Sequence, residues 1–122
     1  MIKKSLEKAI NDQINFEFYS AYLYFSMSAH FSNQNLKGFA KWMRIQTQEE
    51  TLHATKFYDH IIDRGGVVTL QPIKGPEVKW KSPLDVFESA YKHELIVTDR
   101  INKIADLAMK EKDHATLTML QW

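Results

Sequence analysis

Residues 48–53 read Gln48-Glu49-Glu50-Thr51-Leu52-His53, and the predictions of fold and function both start from this segment. It lies in a long run in which apolar side chains recur every three or four positions, which is typical of a helix. Residues three apart on a helix are neighbours, with Cβ atoms roughly 5–6 Å apart. Glu50 and His53 can therefore offer a carboxylate oxygen and an imidazole nitrogen to one metal ion from a single helix face.

The same periodicity predicts further helices on both sides of this segment. The chain is predicted to form one all-α domain over residues 1–122, with helices at about 5–31, 36–64, 83–110 and 113–122 and a connection at 65–82. Ser5, Ser82 and Asp113 are predicted to cap the first, third and fourth helices. Gly65 fits the end of the second helix. We expect the fourth helix to be incomplete, since the sequence stops within it.

The connection at 65–82 is unusually long for a compact domain. When extended at about 3.3 Å per residue it can reach about 59 Å. A helix over 36–64 is about 44 Å long. The connection can therefore run the full length of a helix pair, which favours a four-helix bundle with a crossover over simple up-and-down hairpins.

Composition excludes several classes of protein and site. The 122 residues are 44% apolar and 25% charged, with a net charge of +1. This balance gives no indication of binding to nucleic acid or to an anionic membrane surface. The chain contains no cysteine, which rules out disulfides, thiolate metal sites and cysteine nucleophiles. No signal peptide and no apolar run of membrane-spanning length is present, so we expect a cytoplasmic protein.

Single carboxylates interrupt otherwise apolar helix faces at one common height. Glu17 is predicted about 18 Å above the base of the first helix, with Glu50 at about 21 Å and His53 at about 16 Å on the second. Glu94 lies about 16 Å into the third helix, on a face shared with Leu84, Phe87 and Tyr91 that is expected to point inward.

Buried carboxylates without partners cost several kcal/mol each. No Lys or Arg faces inward on the helix faces that carry these acids, so a cation is the simplest partner. Oxygen-rich ligation with one nitrogen favours iron or manganese. Ligands from the fourth helix are expected at about positions 124–127, beyond Trp122.

The first helix is apolar around nearly its whole circumference, with Phe16, Tyr19, Tyr22 and Leu23 opposite its inward face. A helix of this kind is buried on two sides. We therefore expect a homo-oligomer in which a second subunit covers the outer side.

The sequence resembles the non-haem ferritins of bacteria and archaea. The resemblance rests on Glu17, Tyr24, the 49–53 segment and Glu94, together with the crossover between the second and third helices. The match runs along the whole chain. The resemblance implies the ferritin-like four-helix bundle and an intrasubunit di-iron ferroxidase centre.

The resemblance also implies a role for each matching residue. Glu17 and His53 would bind one iron, Glu94 would bind the second, and Glu50 would bridge the two irons. Glu49 would belong to a third, looser iron site, and Tyr24 would be the catalytic tyrosine beside the centre. Fe(II) would be oxidised by O2 or H2O2, and Fe(III) would be stored in a 24-subunit shell.

Two features of the sequence modify these expectations. Haem-binding relatives carry methionine directly after the bridging glutamate, and Thr51 stands there, so no haem is expected. Family members continue through a complete fourth helix and a short fifth one. A truncated chain ending at Trp122 is therefore expected to bind iron weakly and to close the standard cage poorly.

Other interpretations stay open from the residues alone. Glu49-Glu50 is by itself most often a solvated acidic pair, and a lone histidine such as His53 is most often a hydrogen-bonded core residue. The alternative functions are a rubrerythrin-like di-iron oxidase or peroxidase and a DNA-protecting mini-ferritin. The other histidines are expected at the surface or at helix ends; they are His30, His60, His93 and His114.

Overall fold

The computed structural model describes residues 1–121, and over that range the regular secondary structure is entirely α-helical. The helices are α1 (Lys4–Asn33), α2 (Lys37–Asp63), α3 (Pro83–Lys110) and α4 (His114–Met119). The all-α prediction is confirmed. The predicted fourth helix is shorter than expected, with a turn at 120–121, and its last predicted residue, Trp122, lies outside the described range. None of the described helices is both long and apolar enough to cross a bilayer.

Helices α1 and α2 form an antiparallel hairpin whose core is divided into two apolar clusters. The first cluster lies near the C-terminal half of α1 and includes Tyr24, Met27, Phe31, Met43 and Val86. The second lies near its N-terminal half and includes Leu6, Ile10, Ile14, Phe57 and Ile61. Buried polar side chains lie between the two clusters on α1, α2 and α3; they include Glu17, Ser20, Glu50 and His93. The fold therefore places a polar layer at mid-height in an apolar bundle.

The connection between α2 and α3 runs along the outer side of α1. Near its start, Asn11 Nδ2 donates to the carbonyl of Val67 at 3.0 Å and its Oδ1 accepts from the amide of Thr69 at 2.8 Å. Near its end, Ser26 Oγ donates to the carbonyl of Glu77 at 2.6 Å. Because Ser26 lies beyond Asn11 on α1, the connection travels towards the C-terminal end of that helix. The predicted crossover is confirmed.

Helix α3 consequently starts beside the C-terminal end of α1 and runs antiparallel to it. Tyr24 contacts Glu94, and Gln13 contacts Arg100 further along α3. This fixes the direction of α3, which the sequence had left open, because the height of Glu94 was similar from either end.

Two of the predicted caps match the structure and one does not. Ser82 accepts from the amide of Asp85, and Asp113 accepts from the amide of Thr116. The prediction for Ser5 is wrong: the N-cap of α1 is Lys3, which makes no side-chain cap bond, and Ser5 instead donates to Glu111 at the end of α3. Gly65 has φ +74 just after α2, a conformation that favours glycine.

The inward face predicted for α3 is shifted. Leu84 and Tyr91 are both 67% exposed, and the buried positions in the N-terminal half of α3 are Val86, Ala90 and His93. Helix α3 packs mainly against α1 through this neighbouring face. On the predicted face Phe87 is partly buried against Phe31 and Phe39, whereas Leu84 and Tyr91 remain exposed.

Candidate metal centre

Glu17 of α1 and Glu50 and His53 of α2 meet in the polar layer. The two carboxylates are buried, with 1% and 4% of their surface exposed. His53 Nδ1 lies 3.5 Å from Glu50 Oε2 and 3.7 Å from Glu17 Oε2. One ligand atom from each residue lies within 4.8 Å of the other two, a spacing at which one ion can contact all three. The i, i+3 spacing on α2 thus brings together the two side chains that the sequence predicted as candidate ligands on one face.

Both carboxylates keep a buried oxygen directed at this point. Among residues 1–121, Glu17 Oε2 and Glu50 Oε2 have no hydrogen-bond partner, whereas Glu17 Oε1 accepts from Gln13 Nε2 at 2.9 Å. A buried carboxylate oxygen without a partner is costly, and a cation beside it removes that cost. Two such oxygens and an imidazole nitrogen form a donor set suited to iron or manganese.

The three groups strongly perturb one another's protonation. Burial raises the pKa of Glu50 to about 8, and the neighbouring Glu17 carboxylate adds to this. The Glu17 and Glu50 carboxylates raise the pKa of His53 to about 10 despite its partial burial. Burial acts to raise the pKa of Glu17, but the interactions with His53, Glu50 and Gln13 outweigh it, and the pKa is lowered. Near neutral pH the metal-free cluster therefore holds a Glu17 anion, a protonated Glu50 and a cationic His53.

Glu94 of α3 lies apart from this cluster but faces the same cleft. A cleft of about 340 Å³ opens between α2 and α3, and its lining includes Tyr24, Glu49, Glu50, His53 and Glu94. Glu17 does not line the cleft and joins the group through its contact with His53. The structure thus brings Glu50, His53 and Glu94 to one cavity, with Glu49 exposed at its edge.

Tyr24 links α1 to the α3 side of the cleft. Its hydroxyl donates a hydrogen bond to Glu94 Oε1, and its ring is almost fully buried. Burial and the adjacent Glu94 carboxylate raise the pKa of Tyr24 well above its ordinary value. The phenol consequently stays protonated and acts as a hydrogen-bond donor that fixes Glu94.

His93 is buried in the middle of α3, so the expectation of a surface or helix-end position is wrong for it, whereas His60, which is also buried, lies in the last turn of α2 as expected. His93 lies 2.7 Å through Nε2 from Ser20 Oγ and stacks on Phe16 with ring centroids 5.1 Å apart. His60 Nε2 lies 2.9 Å from Thr116 Oγ1. Burial lowers the pKa of both rings. The signal for His93 was its spacing of three from Ala90, which places it on the buried face of α3.

An arginine outside the helix faces that carry the acids is linked to Glu17 through one intervening side chain. Arg100 of α3 reaches into the bundle and donates through Nε to Gln13 Oε1 at 3.0 Å. Gln13 in turn contacts Glu17. No pattern in the sequence identifies this link, because Arg100 lies outside the stripe that carries Glu94.

Comparison with known proteins gives consistent matches over the whole chain. A family model described as "Ferritin-like domain" matches residues 7–122. The protein named bacterial non-heme ferritin of Bacteroides fragilis strain 638R is 42% identical over 120 residues, which cover 98% of this chain and 76% of the relative. That of Staphylococcus saprophyticus is 39% identical over 122 residues, covering 100% of this chain and 73% of the relative.

Solved structures match as well. The open pore ferritin of Archaeoglobus fulgidus is 49% identical, has a TM-score of 0.98 and is matched by all of this chain over 75% of its own length. A structure titled "Humanized Archaeal ferritin" is 51% identical with the same TM-score and the same coverage of both chains. The chain thus spans about three quarters of the length of these relatives.

Proposed function

The chain belongs to the ferritin-like family, and on this basis we propose that it is an iron-storage protein that oxidises Fe(II) at the centre between α1, α2 and α3. The observation that carries the proposal is the buried group of Glu17, Glu50 and His53, with two carboxylate oxygens that lack hydrogen-bond partners. The Fe(III) product is then stored inside a shell of identical subunits.

Two ferrous ions are bound side by side, one among Glu17, Glu50 and His53 and the other in the adjoining cleft that Glu94 faces. Glu17 Oε2 and His53 Nδ1 hold the first ion. Glu50 lies between the ions, because it contacts His53 and also lines the cleft that Glu94 faces. Glu94 holds the second ion from α3. Each Fe(II) gives up one electron, and the pair reduces O2 to the peroxide level or H2O2 to water.

Tyr24 and Glu49 complete the centre at its two sides. Tyr24 holds Glu94 through its hydroxyl, which keeps the second ligand set in place while the cleft exchanges iron. Glu49 is exposed at the edge of the cleft next to Glu50. It provides a looser third site through which iron enters or leaves the buried pair.

The outer side of α1 supports self-association of the chain. Tyr22 and Phe25 are 53% and 51% exposed, and Leu70 and Ile73 of the connection add apolar surface next to them. Contiguous apolar surface of this kind marks protein interfaces. A second subunit packed against this side removes these side chains from water.

Stopped-flow oxidation tests the proposed centre. Fe(II) is added anaerobically at two ions per chain and mixed with oxygenated buffer, and ferric absorbance is followed. Glu50→Gln keeps the shape of the protonated side chain, so the fold is preserved while the bridging anion is lost. We expect the fast phase to slow by more than about tenfold, because even the partners of metal ligands contribute roughly 10–100-fold.

Glu88→Gln is the matched control, since Glu88 is an exposed acid of α3 outside the cleft. It should oxidise iron at the parent rate. If Glu50→Gln also does so while remaining folded, the proposed centre is wrong.

A further inference from the structure

A hydrogen-bonded chain of three side chains leads from α3 to the buried carboxylate of α1. Arg100 Nε donates to Gln13 Oε1 at 3.0 Å, and Gln13 Nε2 donates to Glu17 Oε1 at 2.9 Å. Gln13 lies one helical turn before Glu17 and is only 1% exposed. The amide is thus enclosed between a guanidinium on one side and a carboxylate on the other.

This order of groups fixes the orientation of the amide. A guanidinium can only donate hydrogen bonds, so Arg100 must contact the amide oxygen of Gln13. The amide nitrogen is then turned towards Glu17, whose ionised carboxylate can only accept. Hydrogen bonds in series also polarise one another, which strengthens the bond to the carboxylate.

Arg100 is itself held firmly in place. Its guanidinium carbon lies 4.2 Å from the ring centroid of Phe16, and a second nitrogen donates to the carbonyl of Asp12 at 3.3 Å. Three contacts with one face of α1 restrict a long side chain that is otherwise mobile. The cation is therefore positioned to act on Gln13, and it reaches Glu17 through that amide.

The two oxygens of Glu17 consequently have different partners. Oε1 accepts from Gln13, whereas Oε2 lies 3.7 Å from His53 Nδ1 and has no hydrogen-bond partner. Rotation of the carboxylate would break the bond to Gln13. The side chain is therefore fixed with one oxygen directed towards His53 and Glu50.

We propose that Gln13 and Arg100 are positioning residues that occupy Glu17 Oε1 and so present Glu17 to Fe(II) as a ligand through Oε2 alone. This inference rests on the function proposed above. It assigns to α3 a second role besides providing Glu94, namely to set the geometry of a ligand on α1.

The test measures binding of Co(II), a redox-inert probe, in anaerobic titrations followed by visible absorption. Arg100→Met removes the guanidinium and keeps an unbranched apolar side chain over Phe16. Gln13→Met removes the amide at nearly constant volume. The matched control is Lys103→Met, which removes an exposed cation of the same helix that pairs with Asp99. Thermal unfolding of each variant checks that it is folded.

We expect Gln13→Met to weaken Co(II) binding by roughly 10–100-fold, as changes to the partners of metal ligands do. Arg100→Met should weaken it several-fold, and Lys103→Met should leave it unchanged. In the Gln13→Met background the further loss of Arg100 should change affinity less than about twofold, because the two residues act through one path. A purely structural arginine would instead give the same additional loss in both backgrounds.

A second readout needs no metal. In the parent, the side-chain amide protons of Gln13 should exchange slowly with solvent and give a single shifted pair of NMR signals; Arg100→Met should abolish this protection. The inference is overturned if Arg100→Met leaves both the Gln13 signals and Co(II) affinity unchanged, or if Lys103→Met weakens binding equally. Failure of the parent to bind Co(II), with the Gln13 signals still dependent on Arg100, would refute the proposed centre and leave the side-chain geometry standing.

Discussion

Glu17 and Glu50 are buried side by side, yet their carboxyl groups hold protons differently. Gln13 donates to Glu17, whereas Glu50 has no comparable donor other than His53. At Glu50 the effect of burial is therefore the larger one, and it raises the pKa to about 8. At Glu17 the favourable interactions outweigh burial, and the pKa of that carboxyl is lowered. This asymmetry keeps a single negative charge in the metal-free pair, which limits repulsion inside the bundle.

Metal binding should therefore release protons. At pH 7 Glu50 and His53 are both largely protonated, since their pKa values are raised to about 8 and about 10. A metal ion requires both in the deprotonated form. Calorimetric titration with Co(II) in buffers of different ionisation enthalpy should give about two protons released per bound ion at pH 7. Affinity should increase with pH, with a smaller slope above pH 8. A release near zero would contradict the predicted protonation states.

At the scale of the helices, the positions of the candidate ligands on α1 and α2 could be predicted, and the position of Glu94 on α3 could be predicted only in part. The spacing of Glu50 and His53 and the height of Glu17 are properties of single helices, and helix geometry determines them. The contact of Glu94 with Tyr24 depends on the direction and rotation of α3. These follow from packing that local periodicity does not specify, as the exposure of Leu84 shows.

The junction between α2 and α4 gives a prediction for stability. Asp113 caps α4 through the amide of Thr116 and pairs with Arg64 at 2.7 Å. Burial acts to raise its pKa, but these partners outweigh it and lower the pKa to about 2. Asp113→Ala should reduce the free energy of unfolding by about 1–2 kcal/mol at pH 7, as loss of a capping side chain does.

The pH dependence follows from the sign of that shift. A lowered pKa contributes stability above the ordinary value of 3.8, and the contribution is lost as pH falls towards 2. The difference between parent and Asp113→Ala in urea unfolding should therefore be constant from pH 7 to about 5 and shrink below pH 4. The exposed Asp106→Ala should show neither effect. A difference that persists unchanged at pH 2 would contradict the assignment.

At the scale of the whole molecule, the fold combines an enclosed centre with an apolar outer side. The sequence predicted an oligomer from the circumference of α1, and Tyr22 and Phe25 are exposed on the side of α1 along which the connection runs. The connection covers only part of that side, through Asn11, Asn15 and Ser26. How a second subunit covers the remaining apolar surface depends on how two molecular surfaces fit together, and the sequence pattern of one chain does not specify this.

Charge placed on this side should disrupt assembly. Phe25→Glu introduces an anion at a half-exposed apolar position, and burying it against a second subunit would cost several kcal/mol. We expect light scattering after size-exclusion chromatography to show a smaller particle than the parent gives, with unchanged Co(II) binding. Met109→Glu, at an equally exposed apolar position near the end of α3, is the control. Particles of parent size from Phe25→Glu would place the interface elsewhere.

The tight turn between α1 and α2 and the long connection before α3 have a consequence for the order of folding. Contacts within the α1–α2 hairpin join residues close along the chain, so closing that loop costs little entropy and is fast. Helix α3 can pack against α1 only after the connection lies along α1. The side chains of Glu17, Glu50 and His53 can thus come together before Glu94 reaches its position. A nascent chain would already present part of the cation-binding site before its bundle is complete.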